Sequence, residues 1–158
     1  MSENIKKKVS SWLKEEGFFY REVADPDTYF NFGIKVVGAA LDVVKDISKD
    51  VVMVRSNLIL TDGQMVTLRS MSEKSREDFF WEVRSMLLRN NEVGAFQVKP
   101  EAKNVEVFVQ ARGIFHDGLS KDRLMQSILV VHKSITMVVW LLERHSGKIK
   151  SAGDSLYM

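Results

Sequence analysis

Residues 119–145 read LSKDRLMQSILVVHKSITMVVWLLERH, and this stretch has the apolar spacing of one long helix. Its main apolar stripe repeats every three or four residues: Leu124, Ile128, Val131, Ile135, Val138 and Leu142. A second set widens that stripe: Met125, Leu129, Val139 and Trp140. Val130, Met137 and Leu141 fall on a third side, where a surface helix would be polar. The pattern predicts a closing helix covered on one side by a sheet and on the other by a subunit, a partner or the chain's own tail.

Size and composition predict one domain at residues 1–148, followed by a tail at 149–158 that we expect to be mobile. Of the 158 residues, 45% are apolar and 28% are charged, which is typical of a globular protein. The net charge of +2 supplies no large basic field, so nucleic acid is not the expected partner. The absence of cysteine excludes disulfides and thiol chemistry and fits a cytoplasmic protein.

The longest apolar run, residues 128–142, is interrupted by polar side chains and is shorter than the about 20 residues that span a bilayer. We therefore expect no membrane span. The three histidines are too scattered along the chain to predict a metal site, and no glycine-rich phosphate loop or other cofactor motif is present. The sequence predicts no bound metal and no cofactor.

The rest of the chain predicts two further helices and five strands. An amphipathic first helix carries Ile5, Val9, Trp12 and Leu13, and the sheet is expected to begin after the turn at residues 25–27. Three strands are predicted at 30–36, 41–47 and 51–60, the last one closing at a turn over residues 61–63. A second helix, capped by Ser72, precedes two strands at 95–99 and 105–114, and Ser120 caps the closing helix. The fold class is therefore α+β.

One face of the sheet is expected to remain open to solvent. Along residues 105–112, the apolar residues Val105, Val107, Val109 and Ala111 alternate with a polar set, Glu106, Gln110 and Arg112, into which Phe108 also falls. An aromatic ring among polar and basic side chains suits a small ligand or single-stranded RNA. This is the alternative functional hypothesis.

The order helix, three strands, helix, two strands, helix resembles the type III secretion chaperone-like fold of the small YbjN-type proteins. More closely, the chain is similar to an uncharacterised archaeal family with that fold, over nearly its whole length. The stretches that carry the resemblance are residues 30–36, 42–44 with 51–60, and 115–120 leading into the closing helix. The resemblance implies an antiparallel sheet with helices on one face, often a dimer, that acts by holding other proteins. It implies no catalytic residue.

Two helices carry apolar side chains away from their core stripes. Trp81 and Leu88 lie opposite the side of the second helix that bears Phe79 and Val83. Together with Val130, Met137 and Leu141 they predict a contact surface for a homodimer or a protein client. The alternative is that these side chains pack beneath the tail or a loop. The leading functional hypothesis is a non-enzymatic protein-interaction module.

Residues with catalytic potential have simpler structural explanations. His116, Asp117 and Ser120 fall within one turn and a helix cap, with no oxyanion-hole signature, so the sequence favours capping over a catalytic triad. His132 lies among apolar neighbours and is predicted to be a core histidine rather than a metal ligand. No set of acid, base and nucleophile can be assembled, and we predict that the protein is not an enzyme.

Overall fold

The structure is a computed structural model that describes residues 2–147. Helix α1 (Ser2–Glu15) opens the chain and buries Ile5, Val9 and Leu13 against strands β1 (Phe19–Glu22) and β2 (Thr28–Val36). The amphipathic first helix is therefore confirmed. The predicted tail, residues 149–158, lies outside the described residues, so the expectation that it is mobile stays a prediction.

The sheet is antiparallel at every pairing between neighbouring strands. It contains β3 (Ala39–Asp46), β4 (Val51–Ile59), β5 (Val93–Lys99), β6 (Glu106–Ala111) and the short β7 (Ile114–Phe115), in addition to β1 and β2. The strand order is β1-β2-β3-β4-β6-β5, and β7 continues beyond β6 along the same side of β4. The strand predicted at 105–114 is thus two strands, separated at Arg112 and Gly113.

Two elements depart from the prediction. The sheet begins before the turn at residues 25–27, because Arg21 and Glu22 of β1 already pair with β2. Residues 61–63 do not form a turn between strand and helix; they start helix α2 (Asp62–Ser70). Thr61 caps α2, since its hydroxyl accepts from the backbone N–H of Gln64 while the Gln64 side chain accepts from the backbone N–H of Thr61.

The remaining helices cover the middle and far end of the same sheet face. Helix α3 (Glu73–Arg89) is capped by Ser72, and helix α4 (Lys121–His145) by Ser120, as predicted. α4 crosses β3, β4 and β6, while α3 packs beside α4 and over β5. The α+β class, with an antiparallel sheet and helices on one face, is confirmed.

One continuous core lies between the helices and the sheet. The main stripe of α4, from Leu124 to Leu142, is buried there together with Phe79, Val83 and Leu87 of α3. Strand β6 contributes Val107, Val109 and Ala111, as its alternation predicts. The sheet thus covers one side of α4, and the outer side of the helix layer is left to be explained.

Candidate interaction surface

Helices α3 and α4 run antiparallel and are joined at two points, at the middle of α3 and just beyond its C-terminal end. His145 at the end of α4 lies 2.9 Å, Nε2 to Oε2, from Glu82, and its ring meets the edge of Phe79. Near the start of α4, the Arg123 guanidinium lies 3.7 Å from the carboxylate of Glu92, just beyond α3. Because these contacts hold the helices side by side, their exposed sides together make up the outer surface of the helix layer.

That outer surface exposes five large apolar side chains, which we name the helix-layer patch. On α3, Trp81 is 72% exposed and Leu88 is 76% exposed. On α4, Leu129 is 49%, Met137 40% and Trp140 55% exposed. Tryptophan is the residue type most enriched at the energetic centres of protein interfaces, and contiguous apolar patches on monomers commonly mark contact sites. The patch is therefore the strongest candidate for a contact with another protein.

Two of the residues predicted for the contact surface do not belong to it. Leu141 is only 4% exposed and lies in the core, and Val130 is half-buried against the core, so an outer position for them was wrong. Leu129 and Trp140 take their place. The sequence signal for Leu129 and Trp140 is their helical phase, because each lies one turn before an exposed basic residue, Lys133 after Leu129 and Arg144 after Trp140.

A groove runs between α2, α3 and the turn joining β5 to β6. Its volume is about 670 Å³, within the range of binding clefts. Met65 and Leu68 of α2 face Phe80 of α3 across it, and Pro100 and Ala102 lie at the turn. Trp81 forms part of its rim and so belongs both to this groove and to the helix-layer patch. We call this feature the α2–α3 groove.

Charged side chains line the α2–α3 groove. The cations are Arg69, Arg76, Arg84 and Lys103, and the carboxylates are Glu73, Glu77 and Glu101. Arg76 is half-buried, and its Nη1 donates to the backbone carbonyl of Met71 at 2.6 Å. The Arg84 guanidinium lies 5.9 Å from the centre of the Phe80 ring. The groove thus combines apolar side chains with four cations and three carboxylates, and the Arg76 cation is held in place by a backbone carbonyl.

The face of the sheet opposite the helices carries a row of polar groups in strand register. Arg21, Gly33, Asp42, Arg55 and Gln110 are consecutive partners across β1, β2, β3, β4 and β6. Burial raises the pKa of the Asp42 carboxyl, while the nearby Arg55 and Arg21 act in the opposite direction.

The other residues of the open-face hypothesis are partly accessible. Phe108 and Gln110 are half-buried on this face, where they pair with Asn57 and Arg55 of β4. Arg112 follows the end of β6 and is exposed. An aromatic ring, an amide and basic groups are therefore available on this face, as the alternation along β6 predicted.

His116, Asp117 and Ser120 are not arranged as a triad. The Ser120 hydroxyl accepts from the backbone N–H of Arg123, which confirms its capping role. The Nδ1 atom of His116 lies 3.6 Å from the Asp50 carboxylate, beyond hydrogen-bond distance. His132 is half-buried rather than part of the core. Within residues 2–147, no three histidine or acidic side chains are grouped as metal ligands would be.

α4 is long and apolar enough to cross a membrane, judged by length and composition alone. This is weak support for a membrane span, because a core helix of a globular domain passes the same test. Leu124, Ile128 and Val131 of α4 are fully buried against the sheet and α3. The structure therefore accounts for the apolar character of α4 on its inner side by packing within the domain.

Comparison with known proteins finds similar solved structures and a matching family model. The crystal structure of an uncharacterized protein from Methanothermobacter thermautotrophicus is 30% identical, with a TM-score of 0.80, over 90% of this chain and 99% of that one. The crystal structure of YbjN from E. coli is 10% identical, with a TM-score of 0.49, over 90% of this chain and 92% of that one. No curated protein matches the chain. Residues 5–142 match the model of a protein family, so the chain belongs to the family described as "Uncharacterized conserved protein (DUF2299)".

Proposed function

We propose that this protein is a non-enzymatic, cytoplasmic protein-interaction module that self-associates through the helix-layer patch. The observation that carries the proposal is the exposure of Trp81, Leu88, Leu129, Met137 and Trp140 on two helices fixed side by side. Single exposed apolar residues are ordinary, whereas five on the outer sides of two adjacent helices, two of them tryptophans, support a contact surface. The outer side of α4, which the sheet does not cover, is thereby covered by a second copy.

A two-fold dimer suits this surface because such an interface uses the same patch on both subunits. In such a dimer, Trp81 and Leu88 of one protomer would pack against the exposed apolar residues of α4 in the other, which are Leu129, Met137 and Trp140. Lys133 lies between Leu129 and Met137 on the exposed stripe of α4, and Arg144 follows Trp140 one turn later, so both cations would enter the interface with the apolar residues. The family assignment supplies no catalytic residue to weigh against a binding role.

The test is the oligomeric state of variants that place a charge in the patch without touching the α2–α3 groove. Leu88→Glu and Met137→Glu meet this condition, and both side chains are exposed, so neither change should disturb the core. We expect wild-type protein to sediment as a dimer in analytical ultracentrifugation and both variants to sediment as monomers. Burying an unpaired carboxylate at an apolar interface is strongly unfavourable, which is the physical reason for the expected dissociation.

Ile47→Glu is the matched control. Ile47 is 60% exposed but lies after β3, outside the helix-layer patch, so the same charge there should leave the dimer intact. Far-UV circular dichroism would confirm that all three variants keep their fold. Wild-type protein that stays monomeric at high micromolar concentration, or dimers that survive both patch variants, would show that the helix-layer patch is not the self-association surface.

The open sheet face supports a second candidate function, the binding of a small ligand or single-stranded RNA. The observation that favours it is the row in which Arg21 and Arg55 flank Asp42, with Phe108 and Gln110 beside it. Its test is fluorescence anisotropy of a labelled single-stranded RNA with wild type and with Arg55→Gln. Specific binding should weaken in the variant and fall with added salt, and failure to bind at low salt would remove the RNA form of this function.

A further inference from the structure

The α2–α3 groove has a pattern of side chains that goes beyond an apolar patch. Arg76, Phe80 and Arg84 are spaced four residues apart on α3, so an arginine lies one helical turn before the ring and another lies one turn after it. Glu73, Glu77 and Trp81 form a second column with the same spacing, toward the exposed rim. Along α3 the groove therefore has an aromatic ring between two arginines, with the carboxylates of Glu73 and Glu77 in the neighbouring column.

The groove's charges are not used up by ion pairs with one another. Across residues 2–147, none of the ion pairs joins Arg69, Arg76, Arg84 or Lys103 to a carboxylate. Elsewhere the protein does pair such groups closely, as Lys6 with Glu22 at 2.9 Å and Lys121 with Glu16 at 2.7 Å. Arg76 is held in place by the Met71 carbonyl, and the guanidinium has further N–H donors for a ligand.

The separation of the two arginines sets the spacing of the ligand's acidic groups. Eight residues of helix place the Cα atoms of Arg76 and Arg84 about 12 Å apart. An extended peptide advances about 3.3 Å per residue, so two residues four positions apart lie about 13 Å apart. An apolar side chain midway between them would lie opposite Phe80, which is midway between the two arginines, and Met65 and Leu68 of α2 line the same groove.

We propose that the α2–α3 groove binds an extended segment of a partner protein with the pattern acidic-x-apolar-x-acidic. The apolar side chain packs on Phe80 and Leu68, and the two carboxylates bind Arg76 and Arg84. Trp81, 72% exposed, lies at the rim of the groove beside the bound segment. This inference deepens the proposed interaction function by naming the chemistry of the client, and it rests on that function.

The experiment titrates full-length, ¹⁵N-labelled protein with a capped peptide of sequence Gly-Glu-Ser-Leu-Ser-Glu-Gly and follows the indole N–H signals by NMR. Trp81 is the reporter, assigned by its loss in Trp81→Phe, while Trp12 and Trp140 do not line the groove and serve as internal references. We expect the Trp81 signal to shift on binding. Replacing both glutamates of the peptide by lysines should weaken binding more than about tenfold, because two charged contacts become repulsive.

Two matched variants of α3, one inside the groove and one outside it, test whether the peptide binds in the groove. Arg84→Gln should weaken binding about fivefold, the size of one exposed ion pair, and Lys74→Gln should not change it. Lys74 is exposed on the same helix but does not line the groove. Equal affinity for the acidic and basic peptides, equal effects of the two variants, or no shift of Trp81 at millimolar peptide would each overturn the inference.

The outcome can be separated from that of the proposed self-association. Met137 does not line the groove, so a Met137→Glu monomer that still binds the acidic peptide would support both proposals independently. A dimer without peptide binding removes only the groove inference. A monomeric wild type that binds the peptide removes self-association and leaves the protein as a client-binding module.

Discussion

Replacing Val37 by asparagine is expected to stabilise the protein. Val37 and Gly38 form the two-residue loop between β2 and β3, since the flanking residues Val36 and Ala39 pair with each other. Both loop residues have positive φ, 48° at Val37 and 82° at Gly38. Two positive values are the signature of a type I′ turn, for which Asn-Gly is the preferred sequence and a β-branched residue is unsuited.

The size of the effect follows from the strain and the exposure at this position. The left-handed region costs an ordinary L-residue roughly 1–2 kcal/mol, and asparagine tolerates it far better. Val37 is 90% exposed, so little packing is lost with its side chain. We expect Val37→Asn to raise the free energy of unfolding by about 1 kcal/mol, which is about 2–4 °C in Tm for a domain of this size. Val37→Gly should gain less, because glycine adds about 0.5–1 kcal/mol of chain entropy to the unfolded state.

Urea unfolding followed by far-UV circular dichroism measures these differences. All samples should be compared at one protein concentration, because self-association would otherwise add a concentration-dependent contribution. Ile47→Asn is the control: Ile47 is an exposed apolar residue in another turn, and within residues 2–147 positive φ outside glycine is confined to Val37. The control should change stability by no more than about 0.5 kcal/mol. A Val37→Asn variant that is no more stable than wild type would show that the turn strain is not what we infer.

Three further substitutions test the carboxyl of Asp42 in the sheet, the packing at Gly113 and the capping of α2 by Thr61. Burial raises the pKa of the Asp42 carboxyl, so its contribution to stability is present below pH about 4 and is lost as the pH rises through the folded-state pKa. In urea unfolding, the free energy of unfolding of Asp42→Asn should match that of wild type at about pH 3 and exceed it at about pH 7. Gly113→Ala should lower the free energy of unfolding by about 1–3 kcal/mol, since its Cβ would lie 2.5 Å from Val51 Cγ1, and the double variant with Val51→Ala should recover part of the loss. Thr61→Ala should cost about 1 kcal/mol in the same assay by removing the α2 cap, while Thr61→Ser should be nearly neutral.

Long elements with a regular apolar pattern were predictable from the sequence, because many residues in each of them indicate which face is buried. The stripe from Leu124 to Leu142 predicted α4, and the alternation of Val107, Val109 and Ala111 predicted the buried face of β6. β1 was missed because it is a four-residue edge strand with mostly exposed side chains, which gives no alternating pattern. α2 was missed because Thr61-Asp62-Gly63 resembles a turn, although Thr61 with Gln64 already formed the capping-box pattern.

The α2–α3 groove could not be predicted once α2 was missed. The spacing of Arg76, Phe80 and Arg84 is visible in the sequence, but one side of a helix becomes a groove only when another element faces it. Leu68 and Met65 supply that second wall from α2, and the turn after β5 closes one end. Binding sites formed between elements depend on tertiary contacts, which a local pattern does not contain.

The phase of α4 shows why its outer residues point to a role outside the fold. The helix is apolar on three sides, so the stripes alone do not tell whether Trp140 or Leu141 faces the core. The tertiary packing determines which side of α4 faces the core: Leu141 is buried, while Trp140 and Leu129 are about half exposed. At such positions tryptophan has a lower helix propensity than glutamine or lysine, and surface substitutions commonly change stability by no more than about 0.5 kcal/mol. The fold of the single chain leaves about half of each of these side chains exposed, whereas contact with a second copy would bury them and give their apolar character a physical reason.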